Sequence, residues 1–252
     1  MSFRISQPSF QSLYVEVQAL GKKISNGTAF VVKAELGDTF LLTNRHIVTG
    51  RHQDTEELLS KATGAIPDSL LVWHNSNTEL GQFVAVEVPL YDGETPLWIE
   101  HPTYGPKADF VALRIPVRSD IKIYAYCAKA FSDMDIEPAQ TVSVVGFPFG
   151  ERTGPSFAVW ATGFVASEPE IDHGGRPIFL IDCRSRPGQS GSPVILHHGC
   201  RNVVAEAKES EIISELLGIY SGRINEGSDL GVVWKTSAII DLLIYATTLS
   251  RQ

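Results

Sequence analysis

Residues 184–196 read RSRPGQSGSPVIL, and the reading of Ser190 in their middle decides the rest of the chain. Ser190 follows Pro187 and Gly188, precedes Gly191, and stands just ahead of the apolar run Pro193–Leu196. Glycine permits backbone dihedrals and close approaches that no other residue allows. A serine held by such backbone is either a plain surface turn or a group presented for chemistry. The letters of the stretch fit both, so the remainder of the sequence has to choose.

The bulk properties remove several classes. The 252 residues suffice for one large β domain or two small ones with a good core. Apolar residues make up 43% and charged residues 20%, which describes an ordinary soluble globule. A formal charge of −8 without a basic run argues against a nucleic-acid partner. No apolar run approaches the ~20 residues that span a bilayer, so no membrane partner is expected. The first 20 residues lack the continuous apolar stretch of a signal peptide. Cys127, Cys183 and Cys200 are odd in number and widely spaced, matching neither a disulfide framework nor a zinc ribbon. Free thiols and a reducing, cytoplasmic location are expected.

Along the chain, short apolar or alternating runs punctuated by turn residues indicate an all-β protein. TAFVVKA and TFLLTN, around the turn ELGD, read as a hairpin, and QFVAVEVPLYDGETPLWIE reads as a second pair of strands. DFVALRIPV, TVSVVGF, SFAVWATGFVAS, PIFLIDC, SPVILHH, LLGIYSGRI and DLGVVWK continue the pattern. Helical period dominates only in TSAIIDLLIYATTL, with Thr236 or Ser237 as the cap and Ile239, Ile240, Leu243 and Leu249 on one face. Short helices are expected in DTEELLSKA and AKESEIISELL, inside insertions at 49–80 and 201–217. Residues 117–137 are the expected join between two β lobes.

Two further residues give the serine company. LLTNRHIV is an apolar strand ending in Thr43, with His46 beside it. HPTYGPKADFVALRI places Asp109 at the opening of an apolar strand, where propensity disfavours aspartate. A carboxylate half-buried there needs a hydrogen-bonding partner, and an imidazole is a suitable one. The three residues fall in the order His46, Asp109, Ser190, each at a strand edge on an all-β background. Subtilisins run Asp, His, Ser and α/β-hydrolases run Ser, Asp, His.

On TNRHIV, HPTYGPKADFVALRI and PGQSGSPV the sequence resembles the chymotrypsin-fold (trypsin-like) serine proteases, and within them the bacterial branch that includes high-temperature-requirement proteases and glutamyl endopeptidases. LLGIYSGRI is similar to the strand lining the substrate cleft, and LGVVWKTSAIIDLL to the last strand and closing helix. The match runs from about residue 13 to residue 249. It implies two antiparallel six-stranded β-barrels, an N-terminal lobe at about 10–120 and a C-terminal lobe at about 135–235, closed by a helix at about 236–249. The implied function is a serine endopeptidase acting on protein or peptide substrates, without metal or cofactor. Ser190 would be the nucleophile, His46 the general base and then acid, and Asp109 the group holding the imidazole. The backbone N–H groups of Gly188 and Ser190 would form the oxyanion hole.

Departures from the family pattern refine the expectation. Gln189 stands where zymogen-activated members carry an aspartate that pairs with a newly cut N-terminus, so activation by trimming is disfavoured. Spacing places Arg184 and Ser185 at the base of the primary specificity pocket, with Tyr220, Ser221 and Gly222 on the opposite wall. An inward Arg184 would offer a fork for an acidic side chain, and an outward one would leave a slot for a medium apolar side chain. No acid at Arg184 means no preference for Lys or Arg. A catalytically silent peptide-binding or scaffolding relative is the competing reading, and a regulatory protein partner would engage the two insertions.

Overall fold

The computed structural model describes residues 5–35, 37–61, 63–115, 118–131, 135–197, 214–225 and 227–249. After a single helical turn, α1 (Pro8–Gln11), the chain enters strands β1 (Ser12–Ala19), β2 (Lys22–Lys33) and β3 (Thr39–Thr43). These pair antiparallel in sequence order, β2 and β3 forming the hairpin read from the alternating apolar residues. Another helical turn, α2 (Arg45–Thr49), precedes β4 (Ser69–Ser76) and β5 (Phe83–Pro89). Short strands follow: β6 (Tyr91–Asp92), β7 (Thr95–Pro96), β8 (Ile99–Glu100), β9 (Val111–Arg114), β10 (Ile121–Lys122) and β11 (Tyr126–Cys127). All but β6 and β7 join one sheet ordered β10-β4-β1-β2-β3-β9-β8, with β5 on β4 and β11 on β2.

The second lobe closes on itself. Strands β12 (Thr141–Gly146), β13 (Val159–Val165), β14 (Ile178–Asp182), β15 (Pro193–His197), β16 (Ser214–Arg223) and β17 (Leu230–Lys235) form a barrel in the order β12-β13-β14-β17-β16-β15. Closure removes the open sheet edges that invite mispairing. The fold is chymotrypsin-like: two β lobes and a C-terminal helix, α3 (Thr236–Leu249).

Each lobe has its own apolar core, one around Val15, Leu41 and Leu70 and one around Val144, Phe179 and Val194. A third core joins them, with Phe30 and Phe110 from the first lobe against Phe147 and Trp234 from the second. All four rings are fully buried, each worth about 1.5–3 kcal/mol of transfer free energy. The Phe110 and Trp234 rings lie 5.4 Å apart, close enough to anchor the chain immediately after Asp109. The cleft between the lobes is therefore fixed by packing.

Four local expectations are corrected. Residues 54–61 form an irregular loop, since Glu56 adopts φ 55° and Arg51 bridges to Leu58 instead of starting a helix. The Arg45 guanidinium, 2.7 Å from the Glu56 carboxylate, holds this loop in place of an apolar helical face. Ser214–Leu217 open β16, and the rest of the second expected helix, 207–213, lies outside the described residues. Strand β4 pairs with β1 and β5, so the stretch 49–80 contributes a structural strand rather than an insertion alone. On α3 the buried face is Ala238, Ile239, Leu242, Leu243 and Ala246, while Leu249 is 38% exposed. Among the described residues no helix is long and apolar enough to cross a membrane.

Leu242→Ala should lower stability by about 2–5 kcal/mol through the cavity it leaves, whereas Leu249→Ala should stay within about 0.5 kcal/mol. Chemical denaturation of both variants checks the assignment, and equal losses would contradict the face described.

Candidate active site

His46 sits in the single turn of α2 rather than at the edge of β3. The turn ends at Gly50, whose φ of 66° and N–H bonded 3.0 Å to the His46 carbonyl stop the helix after five residues. Asn44 does not cap the turn with its side chain. Its amide instead donates to the Asp109 carbonyl at 2.6 Å, tying the two segments together.

Asp109 is 2% exposed, and its carboxylate accepts three hydrogen bonds. His46 Nδ1 lies 2.8 Å from Oδ2, the His46 backbone N–H donates to Oδ1 at 3.0 Å, and the Ser221 hydroxyl donates to Oδ2 at 3.0 Å. Without such partners a buried carboxylate would cost several kcal/mol. With them it fixes the imidazole's orientation and leaves Nε2 as the free ring nitrogen. Burial disfavours the imidazolium, but the Asp109 charge and hydrogen bond outweigh it, holding the His46 pKa above the usual histidine value.

Ser190 arrives from the other lobe, on the turn before β15. Thr28 of β2 grips that turn twice. Its N–H donates to the Ser190 carbonyl at 2.9 Å and its hydroxyl to the Gly188 carbonyl at 2.9 Å. The Pro187 carbonyl accepts the Phe149 N–H at 2.6 Å. Because N–H and C=O point oppositely across a planar trans peptide, this bond turns the Gly188 N–H away from Phe149. Gly188 has φ 95°, and a Cβ there would stand 2.3 Å from the Phe147 carbonyl oxygen. Gly191 has φ 83°, and its Cβ would stand 2.1 Å from the Thr28 carbonyl oxygen. Both positions require glycine, which answers what the flanking residues of the serine do.

Gln189 is fully buried, and its Oε1 accepts the Arg186 N–H at 2.7 Å within the same turn. Two cavities meet at His46. One, about 340 Å³, is lined by His46, Gly188, Ser190 and Asn26. The other, about 410 Å³, is lined by His46, Asp109, Ser221, Gly222 and residues beyond them.

The expected pocket residues separate. Tyr220 and Ser185 are buried and hydrogen-bonded to each other through their hydroxyls, and neither lines either cavity. Gly222 lines the larger cavity, and Ser221 turns its hydroxyl to Asp109. Arg184, expected at the pocket base, is exposed to solvent and lines neither cavity. The structure thus shows the outward-facing arginine of the two expected arrangements. Thr28, Asn44 and Ser221 are the contributors that sequence reading did not assign to these roles. Among the described residues no group of three or more His, Cys, Asp or Glu side chains is placed to hold a metal ion.

The sequence matches the family model described as trypsin-like peptidase domain over residues 27–205. No curated protein matches it. Several solved structures share the fold. A thermostable serine protease, AL20, from an extremophilic microorganism aligns at TM-score 0.59 and 12% identity, covering 96% of this chain and 99% of that one. The serine endoprotease of Yersinia pestis aligns at TM-score 0.57 and 13% identity, covering 97% and 67%. The Rv3671c protease of M. tuberculosis in its active form aligns at TM-score 0.52 and 16% identity, covering 94% and 81%.

Replacing Asp109 by Asn removes the charge while leaving the burial. The His46 pKa should then fall below the ordinary value of about 6.5, a shift readable by titrating the ring resonances. An unchanged pKa would show that Asp109 does not govern His46.

Proposed function

The chain belongs to the trypsin-like peptidases, a family of serine-type hydrolases, and on that footing we propose that it is an endopeptidase working through Ser190, His46 and Asp109. The observation that carries the reading is the Asp109 carboxylate, buried and bonded at 2.8 Å to His46 Nδ1, beside a cavity that His46 shares with Ser190. His46 Nε2 takes the Ser190 hydroxyl proton as the oxygen attacks the scissile carbonyl, then delivers it to the leaving amine. Asp109 holds the tautomer and stabilises the imidazolium formed on the way. The N–H groups of Gly188 and Ser190 receive the oxyanion, a service worth roughly 2.7–4 kcal/mol per donor. Water then cleaves the acyl-enzyme by the same steps in reverse.

The substrate strand adds to β16. On the β15 side the ladder of β16 ends at Pro193–Ile219, and Tyr220 bonds Gly191 and Ser192. Ser221–Arg223 continue beyond it, paired on their far side with β17 only. Such an edge binds extended peptide by main-chain hydrogen bonds. Tyr220 and Ser185, next to this edge, are buried, bonded to each other and line neither cavity, which supports a small side chain before the cut, such as Ala or Ser.

A peptide-library digest read by mass spectrometry tests both statements. Cleavage after small residues, lost by a factor on the order of 10³ or more in Ser190→Ala, is expected. Undiminished cleavage by Ser190→Ala would overturn the reading, and dominant cleavage after Lys, Arg or large aromatics would overturn the pocket. The pH dependence follows from the raised His46 pKa. The base works only when neutral, so kcat/KM should rise with pH through a midpoint above about 6.5. In Asp109→Asn the rate should drop on the order of 10⁴-fold and its midpoint should move to lower pH.

A further inference from the structure

The larger cavity extends from His46 away from Ser190, past Asp109 and Ser221. Among the described residues three cations line it, each delivered by a different part of the chain. Lys107 comes from the loop before β9, Arg176 from the connection between β13 and β14, and Arg223 from the end of β16. His52 and His173 add two imidazoles. Among the described residues two acids share the lining, and one of them, Asp109, is engaged by His46 and Ser221. That leaves Asp54 as the other acid. The Arg176 guanidinium stands 5.9 Å from the centre of the Trp234 ring, whose burial gives it a firm platform. The chain as a whole carries a formal charge of −8, so three cations converging on one cleft run against its average.

We propose that this cavity selects acidic substrates, binding Asp or Glu side chains two to four residues upstream of the scissile bond. The inference rests on the peptidase reading and on Ser221–Arg223 as the strand that receives the upstream half of the substrate. An extended peptide advances about 3.3 Å per residue and alternates its side chains. A chain laid along Ser221–Arg223 therefore carries its side chains into the cavity that Arg176 and Lys107 line. Arginine offers a planar fork that holds a carboxylate through two hydrogen bonds, and lysine adds a point charge. A cleft in which one sign of charge predominates also raises the encounter rate with oppositely charged ligands, and salt weakens that effect. The small side chain admitted at the cut contributes little discrimination, which leaves these upstream positions to set the substrate.

Three peptides that share a small residue at the cut and an identical downstream half, and differ only in Glu, Gln or Lys at the upstream positions, provide the test. At low ionic strength kcat/KM should rank Glu above Gln above Lys, with Glu over Lys by at least about tenfold. The ratio should shrink toward unity as salt approaches 1 M. In Arg176→Glu and in Lys107→Glu the Glu-to-Lys ratio, measured within each variant, should fall and move toward Lys. Equal cleavage of the three peptides, a preference for Lys, or a Glu preference that persists unchanged in both variants would overturn the proposal. If a variant folds poorly, the wild-type ranking and its salt dependence decide alone. Failure to cleave any of the three would overturn the peptidase reading together with this one, whereas uniform cleavage overturns only the charge selection.

Discussion

The grip of Thr28 on the serine turn is the contact on which the site depends. His46 and Asp109 belong to the first lobe and Ser190 to the second, so their alignment is a question of how two sheets dock. Thr28 bonds the carbonyls on either side of the nucleophile, and Thr43 in turn bonds the Thr28 carbonyl at 2.8 Å. Gly191 lets that carbonyl approach to a distance no side chain would permit. Behind this polar seam the shared core of Phe30, Phe110, Phe147 and Trp234 holds the lobes at fixed separation. Packed interiors deform little, so a contact of this kind positions a side chain to within the tolerance that acyl transfer demands.

The same seam holds the serine turn through contacts within the chain. The Gln189 side-chain amide oxygen accepts the Arg186 N–H and its backbone carbonyl the Ser192 N–H, Phe149 holds the Pro187 carbonyl, and Thr28 holds that of Gly188. Each of these three backbone carbonyls has a donor within the chain. Phe149 accepts φ 55° to place its N–H, an uncommon conformation for a residue other than glycine. Strain of that kind persists only where the surroundings over-determine it.

Much of this was legible in the sequence because it is written locally. A glycine-flanked serine, a histidine after an apolar strand and an aspartate opening one are short-range patterns, and the alternation of β2 and β3 is another. Thr28 was not legible, since nothing near it in the chain marks a residue whose partner lies 160 positions away. Ser221 was placed on the pocket wall, yet its hydroxyl turns to Asp109, 112 positions distant. Arg184 was placed by counting back from the serine, which fixes a backbone position but not the direction of a long charged side chain. Residues 54–61 form a loop instead of a helix, with Glu56 at φ 55°, outside the helical region, and its carboxylate 2.7 Å from Arg45.

The central claim is that Ser190 is an activated nucleophile, and covalent labelling addresses it without any assumption about substrate. Incubation with a fluorophosphonate, followed by intact mass and peptide mapping, should place a single adduct on Ser190 in the wild-type chain. Labelling should be abolished in Ser190→Ala and reduced by orders of magnitude in His46→Ala. A wild-type chain that takes no adduct, or takes it at another residue, would contradict the account.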